Sequence, residues 1–336
     1  MKKELLEKII EKCLFPDSCE KVSRLIETHI SWVVLTDNYA FKIKRPVKFS
    51  FLDFSSFEKR KYYCERELEL NRRLSPEMYL DVIPITDGES DGSGDRIVLD
   101  HAVKMKRMDN DREMERLLRK NEVTGADLKK LAAKIAAFHK EAELVKDPFD
   151  TNGFQQKYAD ILLAQDFIQK HFGGDRQESI QKCVKQSNTY LNSNRDFLNE
   201  RITNGYRRDV HGDLKAANIF LYDDPVIFDC IEFNDDYRYL DLLNDVAFIC
   251  VDIDFYGSGD SSEFFFQHYL QSLDMHDNPE SRELLNYYKS YRANVKAKVT
   301  ILKNRHKNDM PEYLEDVQRS LELMEYYISD FQESIV

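Results

Sequence analysis

Val210-His211-Gly212-Asp213-Leu214-Lys215-Ala216-Ala217-Asn218, followed by Val226-Ile227-Phe228-Asp229, holds the densest chemistry in the 336-residue chain. It sets a carboxylate on a loop, an amide five residues later, and a second carboxylate after a short apolar run. Those groups suit transfer of a phosphoryl group. The attacking hydroxyl needs a carboxylate at its proton, and a triphosphate needs a divalent cation held by a few hard oxygens. In that scheme Asp213 orients the hydroxyl, Asn218 and Asp229 are metal ligands, His211 braces the loop and Gly212 allows its tight backbone. Taken singly, Asp213 and Asn218 read equally well as turn residues that satisfy local backbone groups.

Working outward, a strand lysine for the phosphates and a helix glutamate to hold it would complete the set. Tyr39-Ala40-Phe41-Lys42 lies on the third predicted strand, and Lys44, two residues on, shares its face and is the rival candidate. On the following helix Glu67 precedes Leu70 and Leu74 by three and seven residues, beside an inward stripe; Glu65 and Glu69 are less well placed. Phosphate loops of other kinds are excluded. Only 11 glycines occur, none before Gly88, so neither GxxxxGK[ST] nor GxGxxG is present.

The periodicity frames these residues. Residues 3–14 read as an amphipathic helix, and β-like runs follow at Val22–Glu27, Val33–Leu35 and Tyr39–Lys44, with Thr36-Asp37-Asn38 as a hairpin turn. Ser55–Leu74 is helical, then strands near Val82–Ile85 and Arg96–Met105 flank a polar turn at Gly88–Asp95. Helical patterns then recur at Asp127–Glu143, Phe154–His171, Ser179–Phe197, Ser261–Leu273, Ser281–Arg305 and Pro311–Ser334. The expected class is α+β with two lobes and a cleft between them. A small antiparallel-sheet lobe spans 1–108, and a larger, mainly helical lobe spans 109–336.

Composition narrows the setting. The formal charge of −12 argues against broad binding to nucleic acid or an anionic membrane, which needs clustered Lys and Arg. No run approaches 18 apolar residues, and MKKELLEKIIEKCLF mixes charges where a signal peptide needs an apolar core. Six scattered cysteines without a CxxC pair suit a reducing cytoplasm.

HGDLxxxN, with the upstream lysine and glutamate and the later Asp229, resembles the aminoglycoside phosphotransferase-like branch of the protein-kinase-like superfamily. IFDCIEF followed by YLDLLNDVA resembles that branch's IDxE…GDPxxDLA pattern and sets Asp241 and Asp245 on its later aspartates. THISWVVLTDNYAFKIKRPVKFSFLDFS and CERELELNRRLSPEMYL resemble an uncharacterised bacterial group of the branch, often fused to a carboxy-terminal P-loop kinase-like domain that is not expected in this chain. The resemblance implies a kinase-like fold using ATP and Mg²⁺ to phosphorylate a hydroxyl of a small molecule. Lys42, held by Glu67, would take the α/β-phosphates. THISW would cover the phosphates through Ser31 and backbone N–H groups, and adenine would lie against Arg107–Asp109, around Met108. The alternative is an inactive nucleotide-binding module.

Two departures bear on substrate. Lys215 stands where the branch commonly has His, and the Asp229–Asp241 stretch is short and lacks an APE motif, which favours a small substrate over a protein. Arg292 and Lys296 share a helix face, read as a solvated basic face or a seat for an anionic substrate group. Asp252 and Asp254 could receive a cation, and Glu232 reads as a second-metal, solvated or substrate-facing acid. Asp241 reads as a loop anchor or a substrate contact, Asp245, at a predicted helix start, as an anchor, and His139 and Trp32 as packing or loop residues.

Overall fold

The computed structural model describes residues 1–12, 24–90, 96–257, 259–304 and 311–329. Cys13, Cys19 and the later part of the expected Gly88–Asp95 turn lie outside the described residues. In chain order the first elements are α1 (Lys3–Glu11), β1 (Arg24–Glu27), β2 (Ser31–Leu35), β3 (Tyr39–Lys44), β4 (Lys48–Phe49) and β5 (Leu52–Asp53). Then come α2 (Phe57–Arg72), β6 (Tyr79–Ser90), β7 (Arg96–Lys106), α3 (Met114–Arg119), α4 (Gly125–Glu141), α5 (Thr151–Ala159), α6 (Gln165–Phe172), α7 (Gly174–Ser193) and α8 (Arg195–Thr203). The remainder is β8 (Arg207–Asp209), β9 (Ile219–Phe220), β10 (Val226–Ile227), β11 (Tyr239–Asp241), α9 (Leu242–Tyr256), α10 (Gly259–Leu273), α11 (Pro279–Asn304) and α12 (Pro311–Ser329).

The chain forms two compact units that are not continuous stretches: Met1–Glu113 with Asn218–Arg238, and Met114–Ala217 with Tyr239–Val336. The segment 218–238 thus belongs with the sheet, a grouping that a split of the sequence at 108/109 does not contain. Its β9–β10 pair packs Phe220 and Val226 into a core with Ala40, Cys64, Val103 and Met105.

In the first unit five antiparallel strands run in the order β1-β2-β3-β7-β6. The β2–β3 hairpin closes where Thr36 N–H donates to Tyr39 O at 2.9 Å. Alternation sends Trp32, Val34, Phe41 and Ile43 to one face, where Leu6 and Ile9 of α1 cover them. Truncating Phe41 there would cost about 3–5 kcal/mol. The opposite alternates, Ala40, Lys42 and Lys44, take the other face. Helix α2 begins at a Ser56 cap that accepts from Lys59 N–H, and it buries Cys64, Glu67 and Asn71.

The second unit is mainly helical, with one short antiparallel pair, β8 with β11. Helix α9 is buried along nearly its whole length, so its apolar residues show no one-sided period and the sequence marks only its start. Two expected long helices are broken. Phe154–His171 divides into α5, a 3₁₀ turn at Asp160–Ala164 and α6. Ser179–Phe197 divides at Asn194, whose N–H and side-chain amide both close on Tyr190 O at 3.0 Å. Among the described residues no helix is long and apolar enough to cross a membrane.

Candidate active site

The lysine face of β3 meets the buried face of α2 within the first unit. Lys42 Nζ donates to Glu67 Oε1 at 2.8 Å and to Asp229 Oδ1. Glu67 Oε2 accepts from Lys44 Nζ at 2.7 Å, and Lys44 also donates to Glu232 Oε1. The two lysines differ in access: the Lys42 side chain is 13% exposed, that of Lys44 0%. Glu232 is therefore a buried partner of Lys44, and neither solvated nor turned to a metal.

Two cations serve three carboxylates, and the titration directions follow from that imbalance. Burial opposes the charge on Lys42, yet Asp229 and Glu67 hold its pKa well above the ordinary lysine value. Burial alone would raise Glu67, but Lys42 and Lys44 keep it below the usual carboxylate range. Lys44 and Glu232 are both pushed up, which an isolated ion pair would not do. Burial, with the Glu67 charge added, outweighs the pull of Lys44 on Glu232, so Glu232 is the carboxylate at which the surplus negative charge is least favoured.

Asp229 sits at φ +64°, a left-handed conformation that Asp tolerates better than most residues. Its N–H donates to Tyr79 Oη at 3.1 Å, and its side chain is 39% exposed. The end of α2 and the turn after it grip the same segment. Asn71 Oδ1 accepts from Cys230 N–H at 2.9 Å, and Ser75 Oγ accepts from Ile227 N–H at 3.0 Å while donating to Ile227 O at 2.8 Å. Asn71, Ser75 and Tyr79 were not singled out by sequence reasoning. Asn71, four residues after Glu67 on α2, is marked by helical spacing, whereas Ser75 and Tyr79 lie beyond the helix and no local period marks them.

Asn218 is buried, and its main-chain oxygen accepts from Phe228 N–H at 3.0 Å, one residue before Asp229. An amide and a carboxylate so close in the chain pairing are the hard oxygen donors that Mg²⁺ takes, and they leave positions for phosphate oxygens and water. Ser31 lies opposite Lys44 in the β2–β3 register, fully buried, with its Oγ lacking a partner among the described residues. The turn before it closes through Thr28, whose Oγ1 accepts from Ser31 N–H at 2.9 Å; Thr28 and His29 are exposed there, while the Ser31 side chain is not. Met108 packs beside Ala40, Met105, Phe220 and Phe228. The N–H of Arg107 is taken by Asn38 O at 2.8 Å and that of Asp109 by Tyr222 Oη at 2.9 Å, but the main chain of Met108 has no partner among the described residues.

The second unit carries the Asp213 loop. Asp213 Oδ2 accepts from Lys215 Nζ at 2.6 Å, and Asp213 N–H donates to His211 Nδ1 at 3.3 Å. Gly212 takes φ +84°, where any side chain would strain the turn. Asp245, fully buried, accepts from His211 N–H at 3.2 Å and Gly212 N–H at 2.9 Å, and meets His139 Nε2 at 3.1 Å. Burial works against its charge, yet the His139 hydrogen bond holds its pKa below the ordinary value.

Three expectations change here. Arg292 is buried and donates to Asn244 O at 3.1 Å and Gly212 O at 3.4 Å, so it is neither a solvated cation nor an anion seat. Lys296 donates to Asp252 Oδ1 at 2.6 Å, and Asp252 Oδ2 accepts from Ala216 N–H at 2.8 Å; the lysine steadies the loop through Asp252. Asp254 takes Lys289 at 2.6 Å, so the cations for both acids come from the chain itself. Asp241, of its two readings, takes the anchor role: it caps α9 through Leu243 N–H at 2.8 Å and binds Arg201 in two places at 2.6 and 2.9 Å.

Known proteins resemble this chain over most of its length. Residues 38–285 match the model of the phosphotransferase enzyme family APH. An uncharacterized protein of Mycobacterium tuberculosis (strain H37Rv) is 32% identical over 302 residues, 88% of this chain and 57% of the relative. An uncharacterized protein of Mycobacterium bovis matches equally, so the chain spans a little over half the length of these curated relatives. Among solved structures, an amicoumacin kinase in complex with AMP-PNP, Ca²⁺ and amicoumacin superposes with a TM-score of 0.58 at 13% identity, covering 97% of this chain and 96% of that one. A mutant aminoglycoside 2'-phosphotransferase bound to GDP gives 0.55 at 14% identity, with 99% of each chain covered. A Plasmodium vivax ethanolamine kinase gives 0.54 at 12%, covering 99% of this chain and 89% of that one. The fold is thus the α+β, protein-kinase-like one, and the chain belongs to the APH phosphotransferase enzyme family.

Proposed function

We propose that this phosphotransferase is an ATP- and Mg²⁺-dependent kinase that moves the γ-phosphate to a hydroxyl of a small molecule. The observation that carries the reading is Lys42, divided between Glu67 and Asp229 while keeping the only open side of the lysine pair. A triphosphate can draw Lys42 from Asp229, because a phosphate oxygen replaces one anionic acceptor with another. Asp229, so released, would hold Mg²⁺ together with Asn218. The main chain at Met108 offers an edge to adenine, whose faces would lie among Ala40, Phe220 and Phe228. Ser31 lies on the lysine side of the sheet as a further donor.

In the transfer, the acceptor oxygen bonds to the γ-phosphorus as the bond to the β,γ-bridging oxygen breaks. The hydroxyl proton passes to Asp213, and ADP leaves. Bound Mg²⁺ would supply charge neutralisation along the phosphates. Positioning and electrostatics account for most of the rate, and Lys215 keeps the Asp213 carboxylate turned. The short segment between Asp229 and Asp241 supports a small acceptor. The AMP-PNP and Ca²⁺ of the amicoumacin kinase complex support a nucleotide with a divalent cation. The four cysteines of the described residues are buried free thiols, which suits a reducing cytoplasm. Neither nucleic acid nor membrane enters the proposal.

Labelled ATP incubated with a panel of small alcohols tests it. Transfer by the wild type, cut by about 10²–10⁴ in Asp213→Asn with nucleotide affinity retained, is the expected outcome. Binding of Mg-ATP without transfer to any acceptor would favour the inactive nucleotide-binding module.

A further inference from the structure

The Lys44–Glu232 contact lies outside the reading above, since a fully buried lysine cannot reach a phosphate. Its geometry nonetheless closes a chain. Asp229 meets Lys42, Lys42 meets Glu67, Glu67 meets Lys44, and Lys44 meets Glu232, three residues beyond Asp229 on the same segment. Glu67 is the centre of this chain, and each of its oxygens is committed to one lysine. A carboxylate with a single partner can rotate about its last torsion, but one with a cation on each oxygen cannot. Phe54 adds a ring face 4.9 Å from the Lys44 ammonium and leaves that lysine no other course.

We propose that the Lys44–Glu232 pair is a positioning device for nucleotide binding, orienting Glu67 and through it the Lys42 ammonium. The inference rests on the nucleotide reading above and adds to it a residue pair that touches no ligand. When a triphosphate draws Lys42 off Asp229, one end of the chain opens. The other end stays closed, so Glu67 keeps its orientation and Lys42 remains at the phosphates. Without Lys44, Glu67 turns freely and places its whole charge on Lys42, competing with phosphate for the same ammonium.

The test exploits a property of buried ion pairs: removing one partner is strongly destabilising, whereas replacing both with apolar groups is often neutral. Lys44→Met, Lys44→Met/Glu232→Leu, Glu232→Gln and the wild type are compared by thermal melting and by calorimetric titration with Mg-ATP. Lys44→Met should melt well below the wild type, and the double variant should regain most of that loss. The double variant should still bind Mg-ATP about tenfold more weakly, a factor that a merely structural pair would not produce. Glu232→Gln keeps an acceptor for Lys44 and should stay within about threefold of the wild type, a rescue by the conservative change that decides the matter should the double variant fail to fold. A refolded double variant with wild-type affinity overturns the pair's role, as does a Glu232→Gln that loses tenfold or more. No heat from the wild type with Mg-ATP overturns the nucleotide reading itself, and this proposal with it.

Discussion

The lysine cluster of the first unit and the Asp213 loop of the second reach rigidity by opposite routes. Around Glu67, charged side chains hold one another: two lysines share three carboxylates, and Asn71, Ser75 and Tyr79 reach the backbone at the 227–230 stretch. In the loop, buried carboxylates hold the backbone itself. Asp245 takes the N–H groups of His211 and Gly212, Asp252 takes that of Ala216, and Arg292 takes the carbonyl of Gly212. A side-chain network of surplus charge can exchange partners when an anionic ligand arrives. A main-chain clamp cannot, since each released N–H would be left unsatisfied in the interior. The lysine cluster can therefore trade one anionic partner for another, whereas the loop around Asp213 is held in place.

Losing a clamp should be the larger effect on stability. Asp245→Ala leaves two main-chain donors and His139 without their acceptor, and should cost about 3–5 kcal/mol in urea titration. A loss under 1 kcal/mol would erase the contrast. Lys42→Met removes a cation from a site already in negative excess. It should abolish measurable Mg-ATP binding in calorimetry and, by leaving buried Glu67 one cation short, also lower the melting temperature; retained affinity in the folded variant would move the phosphate contact elsewhere. Asn71→Ala leaves the Cys230 N–H buried without an acceptor, at a cost of about 1–3 kcal/mol by thermal melting.

The smallest expected effect is one of pH. The Asp245 pKa is depressed by folding, so its contribution is complete above the unfolded value and disappears as pH falls through the folded one. The stability gap between wild type and Asp245→Asn should be constant from pH 7 to about 4.5 and narrow only below about 4. A gap that narrows already near neutrality would assign the clamp's strength to a group other than this carboxylate.

Much of this was legible along the chain, for physical reasons. Period two on Tyr39–Lys44 places Lys42 and Lys44 on one face whatever packs there, and the spacing of Glu67 to Leu70 and Leu74 points that acid inward. The turn residues Thr36-Asp37-Asn38 mark the hairpin for the same local reasons. Helix α9 was not legible beyond its start, because burial on all sides removes the amphipathic period that announces a helix. Arg292 and Lys296 were misread since their helical spacing tells which residues share a face, not what that face meets.

By itself, then, the sequence determined the faces, the order of the elements and the reactive side-chain types, all properties of neighbours within a turn or a strand. The tertiary structure alone decided that Lys44 is sealed while Lys42 keeps an open side, that Asp252 is a structural acceptor, and that 218–238 joins the sheet. Those outcomes depend on which distant carboxylate reaches a given cation first. That competition is settled by packing over tens to hundreds of residues, and no local period records it.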